Sequence, residues 1–462
     1  MKNRLLALAF AAAIATHAAA TITIVNGDPD GMGFNDPTPV DPVGGNTGTT
    51  LGQQRQFAFQ AAADKWGATL NSIVPIRVLA SWEALSCTDS SAVLGSAGAV
   101  AVFRNFVNVP RMATWYSKAQ ANALAGVDLS PSLPDIKARF NVNLGSPGCL
   151  TGSFFYLGFD GNHGNNADLV TILIHEFAHG LGFQSYTSGL TGAQQAGTPS
   201  AWDYFLLDTT TGKTWDQMTD GERASSALKV GKLVWTGSQV NTAAAASVLA
   251  LGTPSLRITQ PLSVAGSYLI GPASFGPALG DPALNGEVAT FADTAGQALA
   301  CGGLSPDNAA AVAGKIALID RGTCTFVIKA ANLQAAGAIG MIVADNVAGA
   351  PPPALGGSDP SIMIPAVRIS QADGVSLKAA LAAGTSSALL GLNTAQLKGA
   401  DTNGNMLMYL VDPYQSGSSV AHFDTSAFPN QLMEPFVNDD LTHELTPPFD
   451  LTLMLLRDIG WP

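Results

Sequence analysis

Residues 169–183 read LVTILIHEFAHGLGF, and this stretch decides how the rest of the chain is read. Asp168 stands just before a run of helix-compatible apolar residues, and Gly180-Leu181-Gly182 closes it. One helix is therefore expected, with Asp168 as its N-cap and glycine available for the C-terminal turn. Positions four apart share a face of a helix, so His175 and His179 point at a single ion with Glu176 beside them. Two histidines and a glutamate are costly to bury in so apolar a helix without a partner ion. Zinc suits the set, because it takes neutral imidazole nitrogens tetrahedrally and a catalytic site needs three protein ligands with one position left open.

The composition narrows the function classes. The chain has 462 residues, 22 basic and 34 acidic, a formal net charge of −12. That excludes a nucleic-acid binder working through a basic surface. Charged residues are 12% and apolar residues 47%, the profile of a low-charge globular chain and not of a disordered one. Met1-Lys2-Asn3-Arg4 followed by the apolar run Leu5–Ala15 and by Ala18-Ala19-Ala20 reads as a signal peptide cleaved near Ala20. No later segment reaches the ~18 apolar residues of a membrane span. A secreted or otherwise extracytoplasmic address follows, where cysteines pair. The order of Cys87, Cys149, Cys301 and Cys324 favours Cys87–Cys149 and Cys301–Cys324, each pair lying within one candidate domain.

Along the chain, LGQQRQFAFQAAADKWGATL (51–70) predicts an amphipathic helix with Phe57, Ala61 and Trp66 on its apolar face. Strands are expected over 72–82, over Val100–Phe103 and over Phe154–Leu157. Residues 255–395 differ in texture. There, strand 314–320, helix 326–336 and strand 339–344 form a strand–helix–strand unit able to build its own core. A short helix over Leu451–Ile459 ends the chain.

The run His175-Glu176-x-x-His179-x-x-Gly182 resembles the metzincin metalloproteases, whose pattern continues to a third histidine and a later methionine turn. Ser185 stands where that histidine is expected, which leaves His163, His422 and His443 as candidate ligands, with the carboxylate of Asp203 as a further rival. His422 lies in SSVAHFDTSAFPNQLMEPF, eleven residues before Met433, and this tail resembles the leishmanolysin-type branch, in which an insertion delivers the third histidine late. The resemblance implies His175, His179 and His422 as zinc ligands, Glu176 as general base, and Leu432-Met433-Glu434-Pro435 as the turn beneath the metal. By the same analogy Phe154–Asp160 is an edge strand along which an extended substrate could lie, against the plainer reading of a core strand. Asp160, Asn162, Asn165 and Asp168 form an oxygen-rich loop that is either a Ca²⁺ site or a solvated turn.

Residues 255–395 resemble a protease-associated (PA) domain, on the strength of LIDRGTCTFVIKAANLQAAGAIGMIVADN (318–346), Ile364-Pro365-Ala366-Val367 and Ile369-Ser370. The segment has no histidine and no cluster of acids, and Arg321 and Lys329 read as surface charges. The expected fold class is α+β: a metzincin-like catalytic domain of mixed sheet plus active-site helix, interrupted by an inserted α/β PA domain. The expected division is signal peptide 1–20, catalytic part 21–254, PA domain 255–395 and catalytic part 396–462. The expected function is an exported zinc endopeptidase acting on proteins or peptides. Its rivals are a non-catalytic PA-domain binding protein on a degenerate peptidase scaffold, and an aminopeptidase.

Overall fold

The structure is a computed structural model that describes residues 19–293, 296–438 and 440–462. The signal-peptide expectation lies almost wholly outside the described residues. By chain contacts the molecule divides into two compact units. The first comprises the chain up to Met112, Tyr116–Gly182 and Gly460–Pro462; the second comprises Ala113–Trp115 and Phe183–Ile459.

The first unit is a mixed four-stranded sheet carrying the metal-motif helix. Its strands are β1 (Ile22–Asn26), β2 (Ile76–Glu83), β3 (Gly95–Ala99) and β4 (Ile136–Asn141), in the spatial order β1-β2-β4-β3. The first three in that order run parallel, and β3 closes the edge antiparallel to β4. Burial in β2 alternates strictly, so Ile76, Val78, Ala80 and Trp82 face inward in register with Ile136, Ala138 and Phe140 of β4. Over that face lie α1 (Leu51–Thr69) and α3 (Leu169–Leu181), with α2 (Lys118–Ala125) between them in sequence.

Thr50 caps α1 by accepting the Gln53 N–H. The buried stripe of α1 runs through Phe59, Ala62, Ala63 and Trp66, while Phe57, expected on that face, is 41% exposed. Gln54 and Arg55 are the reason: both are buried to serve backbone carbonyls, and this rotates the stripe away from Phe57. The strand expected from Ser72 begins only at Ile76, and Ile73 is exposed. Of Val100–Phe103 only Val102–Phe103 is strand, paired with Tyr116–Ser117, while the edge strand that matters, β3, is the low-complexity stretch Gly95-Ser-Ala-Gly-Ala99.

In the second unit an eight-stranded sheet is built from β5 (Leu251–Gln260), β6 (Gly266–Tyr268), β7 (Gly271–Pro272), β8 (Leu284–Ala289), β9 (Ile316–Asp320), β10 (Gly340–Ala344), β11 (Ala366–Ile369) and β12 (Ser386–Leu397). Its order is β6-β5-β12-β8-β9-β10-β11-β7, with β8 to β11 parallel and the flanking pairs antiparallel. The central strands are buried on both faces, as parallel strands covered by crossover helices are. Ala317, Ile319, Met341 and Val343 pack with Ala330 and Leu333 of α4 (Phe326–Ala335). Ile316, Leu318 and Ile342 pack on the other face with Leu377 of α5 (Gln371–Ala383).

Lys329 is a correction to the sequence reading. It is fully buried, because its Nζ donates to the Leu299 carbonyl at 2.5 Å. Arg321 does reach solvent and pairs with Asp345 at 2.9 Å. The short terminal helix α6 spans Thr452–Asp458. Both disulfides pair as expected, Cys87 with Cys149 and Cys301 with Cys324. Among the described residues no helix is long and apolar enough to cross a membrane.

Candidate metal centre

Helix α3 is held at several points within its own unit. Asp168 accepts the Thr171 N–H at 3.0 Å and satisfies one of the orphan donors of the first turn. Leu173, Ile174 and Phe177 are fully buried, each contributing roughly 1.5–3 kcal/mol. Trp66 of α1 donates its indole N–H to the Ile174 carbonyl at 3.0 Å. At the other end the Leu181 carbonyl accepts from Ser117 Oγ at 2.9 Å and from Trp461 Nε1 at 2.8 Å. Gly180 permits close approach to β4, since a Cβ there would lie 2.4 Å from Ile136. Gly182 has φ +121°, a conformation that lets the chain leave the helix and that side chains with a Cβ rarely adopt.

The two helix histidines lie on one face with ring centroids 4.9 Å apart. Glu176 beside them is buried, and burial pushes its carboxyl up to about 8. The N–H of Ala97 in β3 donates to it and works the other way. Edge strand β3 therefore positions the glutamate, a role that sequence reasoning missed because Gly95–Ala99 carries no hydrophobic period. The strand named for that role, Phe154–Asp160, is only Phe155–Tyr156 paired in parallel with Ala167–Asp168, outside the four-stranded sheet. Phe154, 54% exposed, lacks the core packing that would extend it.

In the second unit His422 is buried, and its Nδ1 lies 2.8 Å from the Ser418 carbonyl. A carbonyl can only accept, so that contact assigns the proton to Nδ1. Met433, fully buried, gives its carbonyl to the N–H of Phe423 at 2.8 Å, which ties the turn at Met433 to the residue after His422. His175 and His179 lie in the first unit and His422 in the second. The donor set on the helix suits zinc: two imidazoles on one face with a carboxylate adjacent.

Two of the rival residues, Asp203 and His163, have hydrogen-bond partners in their own loops. Asp203 is fully buried, accepting from Ser185 Oγ at 2.7 Å, Thr187 Oγ1 at 2.5 Å and the Ser200 N–H at 2.9 Å. Ser185, at the place of the absent histidine, thus serves to hold Asp203. His163 sits in a loop with Nδ1 2.8 Å from the Asn166 carbonyl. In the oxygen-rich loop Asp160 accepts from Tyr156 OH at 2.5 Å and from Asn162, and Asp168 caps the helix, so neither acid is held open for Ca²⁺.

Comparison with known proteins identifies one part of the chain. Residues 284–377 match the family model of the PA domain, so the chain carries a PA domain. A probable leucine aminopeptidase 2 of Aspergillus fumigatus is 37% identical over 115 residues, 22% of this chain and 23% of that protein. Human ER degradation-enhancing alpha-mannosidase-like protein 3 is 46% identical over 76 residues, 16% of this chain and 8% of that one. Among solved structures, a zinc aminopeptidase from Bacillus subtilis is similar over 33% of this chain and 36% of that chain, at 23% identity and a TM-score of 0.24. The chain spans between 8% and 23% of the length of the curated relatives it matches. Short matches to proteins named for such different activities do not carry an activity with them.

Proposed function

We propose that this protein is an exported zinc metallopeptidase whose metal is held by His175, His179 and His422. The observation that carries the reading is the pair of imidazoles, His175 and His179, on one face of α3 beside the buried Glu176. Zinc held there would polarise the scissile carbonyl and bring the pKa of water toward about 7. Glu176 then takes the proton of the attacking water as the C–O bond forms, and passes it to the leaving amine as the C–N bond breaks. The Ala97 N–H holds the Glu176 carboxylate in position for both transfers.

The edge of β3 supports an extended substrate beside the helix, because its antiparallel pairing with β4 leaves it the terminal strand of the sheet. Met433 is read as packing beneath the metal, and the two disulfides support an oxidising, extracytoplasmic address. The division of the chain is read as catalytic parts 21–254 and 396–462 around a PA domain at 255–395, the whole resembling the leishmanolysin-like metzincins.

An aminopeptidase is the second reading, favoured by the names of relatives such as the Aspergillus protein. What favours an endopeptidase is the form of the motif: aminopeptidase sites of the two-metal kind draw on scattered acids and histidines, whereas the pattern in this chain is one HExxH cluster on a helix. Digestion of a protein with both termini blocked separates the two. Internal cleavage that requires zinc and is abolished in Glu176→Gln supports the endopeptidase, whereas release of single N-terminal residues from free peptides only supports the aminopeptidase. Full peptide hydrolysis by Glu176→Gln would overturn both.

A further inference from the structure

The two disulfides sit in different electrostatic settings. Cys149 is buried, and its Sγ meets the neutral side-chain amide of Asn141 at 3.7 Å. In the PA domain the Sγ of Cys301 lies at that same 3.7 Å from the Nζ of Lys329, and both Cys301 and Cys324 are half-buried. Lys329 is held there by the carbonyl of Leu299, two residues before Cys301, which accepts from its Nζ at 2.5 Å. Cys324 stands one residue before Thr325, the N-cap of α4.

Thiolates carry out disulfide exchange, and a sulfur leaves a disulfide faster the lower its thiol pKa. An ammonium in contact with Cys301 stabilises the thiolate that bond cleavage would leave there. The positive end of α4 acts in the same direction on Cys324. Against this, the carbonyls of Leu299 and Gly322 lie 3.8 and 3.7 Å from the Cys301 sulfur and favour a neutral thiol. The first of them is already engaged by Lys329, and a full charge outweighs the remaining dipole at the same distance. Burial disfavours the charge on Lys329, while Asp293 and Asp320 favour it. Both carboxylates have their own donors: Lys378 pairs with Asp320, and the N–H groups of Leu299 and Ala300 reach Asp293.

We propose that Cys301–Cys324 is a thiol–disulfide exchange site, opened reversibly by a dithiol with Cys301 as the leaving thiolate, and that Cys87–Cys149 is a structural staple. A thiolate of the dithiol bonds to the Cys324 sulfur as the bond between the cysteines breaks, and the electron pair goes to Cys301 beside Lys329. The second sulfur of the reductant then bonds to the first and releases Cys324. The dithiol thereby loses two electrons and becomes a disulfide, while the chain gains them, and its two protons pass through solvent to the two cysteines. The exchange concerns the PA domain alone and stands whether or not the chain hydrolyses peptides.

The test treats the folded full chain with dithiothreitol near pH 7, traps free thiols with iodoacetamide at intervals, and locates them by peptide mass spectrometry. Cys301 and Cys324 should become reactive about tenfold or more faster than Cys87 and Cys149, and Lys329→Met, checked for a cooperative melt, should bring that ratio below about threefold. Equal rates, earlier opening of Cys87–Cys149, or a ratio that Lys329→Met leaves unchanged overturns the proposal. Should Lys329→Met not fold, Cys324→Ser decides, because it leaves Cys301 as a single free thiol. That thiol should reach half its full reactivity with iodoacetamide about one pH unit or more below the ~8.5 of an ordinary cysteine. A smaller shift leaves exposure as the cause of any difference in rate and overturns the assignment of Cys301 as the leaving thiolate.

Discussion

The PA sheet and the HExxH helix treat buried charge differently. In the PA sheet buried charge is met by groups of the chain: Asp345 takes both Arg368 and the more exposed Arg321, and Lys329 reaches the Leu299 carbonyl. On α3 the buried Glu176 is met by a single amide N–H and, among the described residues, by no lysine or arginine. The difference teaches where to look for function. Charge that a protein neutralises itself serves the fold, whereas a carboxyl buried beside two imidazoles and met by no lysine or arginine among the described residues marks a candidate site.

The largest expected effect breaks that comparison at its centre. Glu176→Gln should lower kcat by about 10²–10⁴-fold while zinc content, read by atomic absorption, stays near that of the parent. Retained activity would return Glu176 to the structural class. Next comes the metal. Zinc present at 1,000 times its Kd should stabilise the parent by about 4 kcal/mol over the chelated form. His422→Ala should lose most of that zinc-dependent rise in melting temperature, and Asp203→Asn should keep it. Loss in the second and retention in the first would exchange the two assignments.

On the PA side, Asp345→Ala leaves Arg368 buried without its carboxylate and should cost about 3 kcal/mol of stability by denaturant unfolding. The residual hydrolysis per folded molecule should be unchanged.

The smallest effect is a pH dependence. Burial pushes Glu434 up to about 8, aided by Asp424, Asp440 and Asp450, so the folded chain holds this proton more tightly than the unfolded one. Its burial is harmless below the ordinary carboxylate range, and the penalty for ionising it grows as pH rises from about 4.5 to about 8. Glu434→Gln should therefore melt at a higher temperature than the parent at pH 8–9 and at the same temperature near pH 4. A gap that is widest at pH 4 would reverse this account of the group.

The metal helix was legible because its information is local. A cap at Asp168, a period that puts His175 and His179 on one face, and a glycine stop at Gly182 are all near-neighbour effects. The strand–helix–strand core of the PA domain was legible for the same reason, since strands buried on both faces read as continuous apolar runs. Phe57 and Lys329 were misread because the sign of their burial depends on distant carbonyls: those that Gln54 and Arg55 serve in one case, that of Leu299 in the other. The role of β3 had no signal at all, because five small residues have no pattern until a neighbouring strand and helix supply one.

By itself the sequence determined that a helix would present two imidazoles and a carboxylate together and that a PA-like α/β core would form; it favoured one pairing of the cysteines, which the structure shows. Only the tertiary structure decided what the distant candidates meet in their own surroundings: Asp203, twenty-four positions beyond His179, takes hydrogen bonds from Ser185, Thr187 and Ser200, and the Nδ1 of His422, 247 positions beyond His175, meets the Ser418 carbonyl. Spacing along a chain constrains neighbours within a few turns, whereas the partners of a residue outside that range are set by the loop it folds into.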